Sequence, residues 1–256
     1  MKLGLVTYNL AKDWDLPTLL ERCEKTGFEG VELRTTHAHG VEVSLSKEGR
    51  ERVRQLFADS PVALAGLGSA FEFDSPDPDE VRANIEGTQE MVRLAADVGA
   101  PGVKVRPNKL HKDEGVAAAK TLEQIGLALR ECGQFAADLG VEIRLEVHGR
   151  DTCLVPNIRT ILDAADHENV FVCWNSNPTD VGEDGSIAAG YALVREAIRL
   201  VHITELISDY PWRELFALLA ADGYQGFTLA EIGRPSLEPE RFMSYYRALW
   251  LAYQPE

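Results

Sequence analysis

Short aliphatic runs recur along the chain, and between them the apolar positions shift from alternate spacing to helical spacing. The clearest run is VEIRLEVHG. There Val141, Ile143, Leu145 and Val147 are aliphatic, while Glu142, Arg144, Glu146 and His148 take the opposite parity. A strand at Val141 to Gly149 therefore aims Glu146 and His148 from one face. Similar runs predict strands over Lys2 to Leu10, in GFEGVELRTT, over Val62 to Ser69, and in GVKVRP, VFVCWN, IRLVHIT and FTLAEIG. Helical spacing fills the intervals: Leu16 to Lys25, Lys47 to Ala58, VRANIEGTQEMVRLAADVG, Asp113 to Leu139, Ile158 to Ala165, Ile187 to Ala197, Trp212 to Ala221 and Glu240 to Tyr253. Gly27 is placed to cap the first helix, and the acidic turn SPDPDE precedes the third.

Strand and helix alternate through the whole length, which predicts an α/β fold with a parallel sheet. TGFEGVEL, VGAPGVKV, LGVEIRL and DGYQGFTLA each set a glycine at a helix end shortly before a strand. Eight such units close naturally as a (β/α)8 TIM barrel, and 256 residues suit a single domain spanning 1–256. A doubly wound nucleotide-binding sheet is disfavoured, because TYNLAKDWD follows the first strand where a GxGxxG loop would stand. In a barrel, the carboxyl ends of the strands form the active-site face. Here those ends carry Asn9, His37, His39, Glu146, His148, Asn175, His202, Glu205 and Glu231.

Composition narrows the partners. Lys and Arg number 26 against 41 Asp and Glu, a formal charge of -15, which repels a phosphate backbone and argues against nucleic acid. No apolar run approaches the roughly 20 residues that span a bilayer, and MKLGLVTYNL reads as a strand rather than a secretory signal. The four cysteines are scattered without a CxxC pair, as expected of free thiols in a cytoplasmic protein.

Glu146, His202 and Glu231 end the fifth, seventh and eighth strands, so closure of a barrel brings them together. Two carboxylates and an imidazole suit one divalent metal ion, Mn2+, Mg2+, Co2+ or Zn2+. The competing reading of each buried glutamate is a salt bridge, with Arg144 or Arg106 as partner. Lys104 and Arg106 share a parity on the fourth strand and could anchor a carboxylate or oxyanion, or pair with an inward glutamate. His37 and His39 leave the second strand together; they could bind substrate hydroxyls, protonate a leaving group, hold a second metal, or be solvated. Glu72 and Trp174 complete the rim with Asn9. Phe71, Phe73, Trp14, Tyr210 and Trp212 could stack on a ring of the substrate or pack the loops.

LEVHG with Glu146, VHITE with His202 and Glu205, GYQGFTLAEIG with Glu231 and the early TGFEGVELR together resemble the xylose isomerase-like TIM barrel superfamily. That superfamily spans sugar isomerases, ketose 3-epimerases, inosose dehydratases and the endonuclease IV branch. Its members hold one divalent metal with a carboxylate, an aspartate, a histidine and a glutamate ending strands five to eight, and three of the four carry over. The departure is WNSNPTD, which aligns Asn175 with the aspartate; the amide oxygen can ligate without bringing charge, and Asp180 is the substitute at hand.

The resemblance implies proton abstraction beside a carbonyl through an enediolate, with Glu146 and Glu231 as both metal ligands and acid/base groups. Glu205 would bind substrate hydroxyls. His148 would do so too or support the site from behind; an ordinary hydrogen-bonded core histidine is the competing reading. The expected enzyme is a metal-dependent sugar isomerase or epimerase, possible as a homodimer, acting on a small carbohydrate. No phosphate-binding glycine loop appears in LISDYPW or GRPSLEP, so an unphosphorylated substrate is expected. Elimination from a keto-sugar or keto-glycoside, a lyase or dehydratase outcome, shares the first step. Phosphodiester cleavage of the endonuclease IV type would call on more histidines than the six present. A metal-free, inactive binding protein is the reading that Asn175 supports.

Overall fold

The structure, a computed structural model, describes residues 1–255. Eight parallel strands close into a barrel in sequence order, β1 to β8, with β8 pairing back to β1. The elements run β1 (Lys2–Val6), α1 (Leu16–Thr26), β2 (Gly30–Arg34), α2 (Lys47–Ala58), β3 (Ala63–Glu72), α3 (Pro78–Val98), β4 (Gly102–Arg106) and α4 (Ala118–Ala137). They continue with β5 (Glu142–Glu146), α5 (Val155–Ala165), β6 (Val170–Trp174), α6 (Ala188–Val194), β7 (Ile198–Ile203), α7 (Trp212–Ala221), β8 (Phe227–Ala230) and α8 (Pro239–Tyr253). This is the TIM barrel that the alternation of strand and helix predicts.

Local chemistry sets the helix ends. The Asp15 carboxylate accepts from Thr18 N–H at the start of α1, Pro17 occupies the first turn, and Gly27 ends the helix at φ 74, returning its N–H to Cys23 and Glu24 carbonyls. Asp77 with Pro78 and Gly99 at φ 83 repeat this scheme around α3. The fourth predicted helix begins later than its polar pattern suggests: Gly115, at φ 78, ends a single 3-10 turn at Lys112–Glu114 before α4 starts. The sixth is likewise shorter, because Arg195–Ala197 tightens into a 3-10 turn that feeds β7. β1 stops at Val6, where Tyr8 N–H turns back onto the Val6 carbonyl at 2.6 Å. β3 runs on to Glu72, past the predicted end at Ser69, with the Ser69 hydroxyl donating to the Lys104 carbonyl at 2.7 Å.

The outward residues of the strands and the inward faces of the helices make one apolar layer around the barrel, including Ile143, Leu145, Val172 and Ile203, all fully buried. At roughly 1.5–3 kcal/mol for each large side chain, this layer carries most of the stabilisation. A second apolar cluster, Val6, Ala65, Cys173, Leu200 and Leu229, fills the barrel interior. α8 closes the structure on the barrel wall: Trp250 Nε1 donates to Thr228 Oγ1 at 2.9 Å and Tyr246 OH to the Thr204 carbonyl at 2.6 Å. Among the described residues, no helix is long and apolar enough to cross a membrane.

Candidate active site at the barrel mouth

Parity along β5 resolves as the pattern requires. Ile143 and Leu145 face the helices, while Glu142, Arg144 and Glu146 face inward, where glycines on neighbouring strands leave room. A Cβ on Gly102 would lie 2.5 Å from Arg144 Nε, and one on Gly68 would lie 2.6 Å from Glu32 Oε1. The small residues on β3 and β4 therefore exist to admit charged side chains. Beyond β5, Gly149 holds φ 92 against the Asn108 carbonyl, a position no Cβ could take.

One oxygen or nitrogen each from Glu146, His202 and Glu231 lie within 4.8 Å of one another. His202 Nδ1 is 3.3 Å from Glu146 Oε1 and 3.8 Å from Glu231 Oε2. Its other ring nitrogen, Nε2, lies 3.3 Å from Oε2 of Glu32, a carboxylate buried on β2. A carboxylate behind an imidazole is the arrangement that orients a metal-binding histidine and fixes its tautomer. Lys104 Nζ donates to Glu146 Oε2 at 2.9 Å, and Asn175 Nδ2 donates to Glu146 Oε1 at 3.3 Å. Glu146 is thus engaged through both oxygens.

The charges shape one another. Burial would raise the Glu146 pKa, but Lys104 and His202 hold it well below the usual carboxylate range. Burial also opposes charge on His202; Cys173, Glu32 and Glu146 around the ring push its pKa well above the usual imidazole range. Glu231, whose side chain keeps 19% of its surface exposed at the mouth, goes the other way: burial, with Glu146 adding to it, raises its pKa. The two glutamates therefore differ, one pinned in its ionised form and one ready to hold a proton.

The family model of the xylose isomerase-like TIM barrel matches residues 20–249. The chain belongs to this family. The xylose isomerase-like barrel is 24% identical over 244 residues to L-ribulose 3-epimerase of Methylomonas sp. (strain DH-1), covering 88% of this chain and 82% of that one. It is equally 24% identical over 250 residues to ketose 3-epimerase of Arthrobacter globiformis, covering 90% and 83%. Among solved structures, D-psicose 3-epimerase from Clostridium cellulolyticum H10 superimposes with a TM-score of 0.82 at 16% identity, over 99% of both chains.

The remaining residues singled out from the sequence of the xylose isomerase-like barrel divide. Asn175 lies at the cluster, but its Oδ1 accepts from Ser176 N–H at 2.9 Å, so the amide presents its nitrogen inward. Asp180 lies outside the cluster: its Oδ2 accepts from Asn177 N–H at 2.8 Å and from Tyr210 OH at 3.2 Å. Arg144 pairs with Glu142 at 2.6 Å rather than with Glu146, and Arg106 pairs with Glu72 at 2.5 Å. His148 stands beside Glu146; burial lowers its pKa, and Arg106 and Lys104 reinforce this against the Glu146 charge.

His37 is half-buried at the end of β2, with Nδ1 3.4 Å from Thr7 Oγ1. His39 spends both ring nitrogens on the backbone: Nε2 meets the Arg34 carbonyl at 2.8 Å and Nδ1 accepts from Val41 N–H at 3.0 Å. That leaves it nothing to offer a ligand. Glu205 is close enough to Tyr246 of α8 to add to the effect of burial in raising that phenol's pKa, and it is not one of the clustered donors. Asn9 Nδ2 ties the first loop to the last through the Gly233 carbonyl at 2.9 Å. Trp174, Phe73 and Trp212 are buried and pack the loops, with Tyr210 and Trp212 rings 4.6 Å apart.

Glu32 escapes a reading of the sequence by strand ends. The signal is present, since GVELR alternates Val31 and Leu33 with Gly30, Glu32 and Arg34 in the same way that the fifth strand does. A surface cavity of about 460 Å³ opens near the amino end of β7, lined by Tyr191, Arg195, Arg199, Asp222 and Tyr224. It shares no residue with the cluster, and its arginines already face Asp222 and Glu142. Donor chemistry, rather than cavity size, places the site at the mouth.

Proposed function

We propose that this barrel is an isomerase or epimerase of small carbohydrates that moves a proton on the carbon beside a carbonyl. The observation that carries the reading is the convergence of Glu146, His202 and Glu231 from three strands within 4.8 Å, with Glu32 behind the imidazole. Two curated relatives named as 3-epimerases, each matched over most of its length, support it. The donor set suits a hard or borderline divalent cation such as Mn2+, Mg2+, Co2+ or Zn2+. Glu146, His202 and Glu231 would hold such an ion, which would supply polarisation of a substrate carbonyl and so acidify the adjacent C–H.

The protein groups do the rest. Glu231, the more exposed of the pair and the one with the raised pKa, takes the proton at the mouth. Glu146, anchored by Lys104, faces the same centre from β5 and serves on the opposite side. His202 is held in place by Glu32 and keeps the two carboxylates apart from direct repulsion. Asn175 contributes its amide without charge, so the cluster carries one fewer negative group than its relatives' four-residue pattern implies.

The test is incubation of metal-supplemented protein with ketoses in D2O. Deuterium incorporation beside the carbonyl, in a product that has lost neither water nor alcohol, is expected, and Glu146→Gln and Glu231→Gln should each abolish it while the fold persists. A product lighter by water or an alcohol would instead indicate elimination. Absence of metal after purification without chelators, together with absence of exchange, would remove the enzymatic reading.

A further inference from the structure

The acidic cluster draws on β5, β7 and β8, and Arg34, Lys104 and Arg106 line the mouth from β2 and β4, with the His148 imidazole beyond the end of β5. Arg34 shares the inward parity of Glu32 on β2, and Arg106 that of Lys104 on β4. His148 follows Glu146 on the same parity. Between β2 and β4 runs β3, whose Gly68 stands in register with Arg34 on one side and Lys104 on the other. A Cβ there would meet Glu32 Oε1 and lie 3.5 Å from Arg34 Cα. The strand between the two cationic strands thus puts no side chain into that sector, which is floored by Glu32 and Lys104.

Besides Glu32 Oε1, a carboxylate oxygen on the floor whose charge His202 and Lys104 balance, three polar groups around this sector lack partners. The Arg34 guanidinium lies over the Tyr8 ring, 5.1 Å from its centre, and makes no hydrogen bond or ion pair among the described residues. Arg106 gives Nη2 to Glu72 and to the Ala70 carbonyl at 3.2 Å, yet its Nε is buried without an acceptor. His148 Nδ1 is buried without a partner as well. Buried polar atoms left unmatched, as Arg106 Nε and His148 Nδ1 are, call for an explanation; a ligand acceptor supplies one for Arg106 Nε, and for His148 Nδ1 in the tautomer that protonates it. Lys104 is not free for this duty, because its ammonium is committed to Glu146.

We propose that Arg34, Arg106 and His148 receive a carboxylate at the far end of the substrate, so that the barrel acts on keto-sugar acids in preference to neutral ketoses. This rests on the carbohydrate reading above. A guanidinium fork matches the two oxygens of a carboxylate. Glu72 already occupies one side of Arg106, which leaves Arg34 as the main uncompensated charge. Phosphate is less suited: it is usually cradled by backbone N–H groups of glycine-rich loops or helix starts, and LISDYPW and GRPSLEP supply no such loop.

The experiment compares D-fructose with D-fructuronate, and D-tagatose with D-tagaturonate, with D-fructose 6-phosphate as a third anion, on the metal-supplemented full chain. Proton exchange in D2O is read as kcat/KM, and thermal-shift titration reads binding without turnover. The carboxylated member of each pair should be favoured roughly 10- to 100-fold, the range of one charge-assisted pair. Arg34→Gln should erase that preference, bringing the two members of each pair to within about threefold of one another.

If no sugar exchanges, the carbohydrate isomerase reading fails on its own, and the binding titration still decides this proposal. A carboxylate-dependent shift that Arg34→Gln removes upholds it; equal shifts, or none, overturn it. Preference for the neutral ketose or for the phosphate ester, or a preference that survives Arg34→Gln, also overturns it.

Discussion

Lys104 Nζ lies 2.9 Å from Glu146 Oε2, and both side chains are almost wholly buried, at 5% and 2% exposure. An ammonium therefore balances the carboxylate that heads the fifth strand. Removing one partner of a buried pair leaves the other charge stranded, which typically costs about 3–5 kcal/mol. Lys104→Met should lose stability on that scale in the metal-free protein. Added Mn2+ should recover part of the loss, because the cation then takes over the balancing charge. Urea denaturation with and without metal checks this; a metal-free variant as stable as the parent would show that the pair contributes nothing.

Glu32 reaches His202 Nε2 at 3.3 Å from the opposite side of the ring to Glu146. Its role is to orient the imidazole, so its removal should weaken the metal site without touching a donor atom. Glu32→Gln is expected to lower divalent-metal affinity about 10- to 100-fold, as loss of a carboxylate behind a ligating histidine does. Calorimetric titration with Mn2+ measures it directly, and unchanged affinity would separate Glu32 from the site.

These two contacts mark the limit of what the chain discloses by itself. The eight strands and their inward parity are legible, because alternation of apolar and polar residues is a local property. So are Glu146, His202 and Glu231, since each sits at a strand's carboxyl end. Which inward charges meet is not local: Lys104 and Glu146 are 42 residues apart, Glu32 and His202 are 170 apart, and only barrel closure with its register decides the pairing. Glu32 stays hidden because one carboxylate in an early strand carries no strand-end signal. His39 misleads for the reverse reason, as nothing in THAHG reveals that the Arg34 carbonyl and Val41 N–H take both its nitrogens.

Asn175 stands at the position where the resemblance leads one to expect an aspartate, and its surroundings indicate what an aspartate would face. Asn175 Nδ2 donates to Glu146 Oε1 at 3.3 Å, so Asn175→Asp would set two carboxylates against each other. The metal-free variant should be less stable than the parent, since like charges at this range repel in a low-dielectric site. Metal affinity should rise, because the added carboxylate is a stronger ligand for a hard cation than an amide. Melting temperatures with and without Mn2+ would show a larger metal-induced increase in the variant; an equal increase in both would place position 175 away from the metal.

Asp180 offers a pH signature away from the metal donors. Burial pushes its pKa from 3.8 to about 7, against the hydrogen bonds from Asn177 and Tyr210, and its Oδ1 is buried without a partner. The folded state therefore holds the proton more tightly than the unfolded chain. The stability this gives is fully present below pH 3.8, declines as the pH rises, and is lost through pH 7. Each pH step of one between those two values is worth about 1.4 kcal/mol, so the whole span is at most roughly 4 kcal/mol. Asp180→Asn keeps an acceptor for Asn177 and Tyr210 but cannot ionise, so it should flatten this slope and be more stable than the parent at about pH 8. Urea midpoints collected between about pH 4 and 8 test the sign: a variant that still loses stability with the parent's slope would assign the titration to another group.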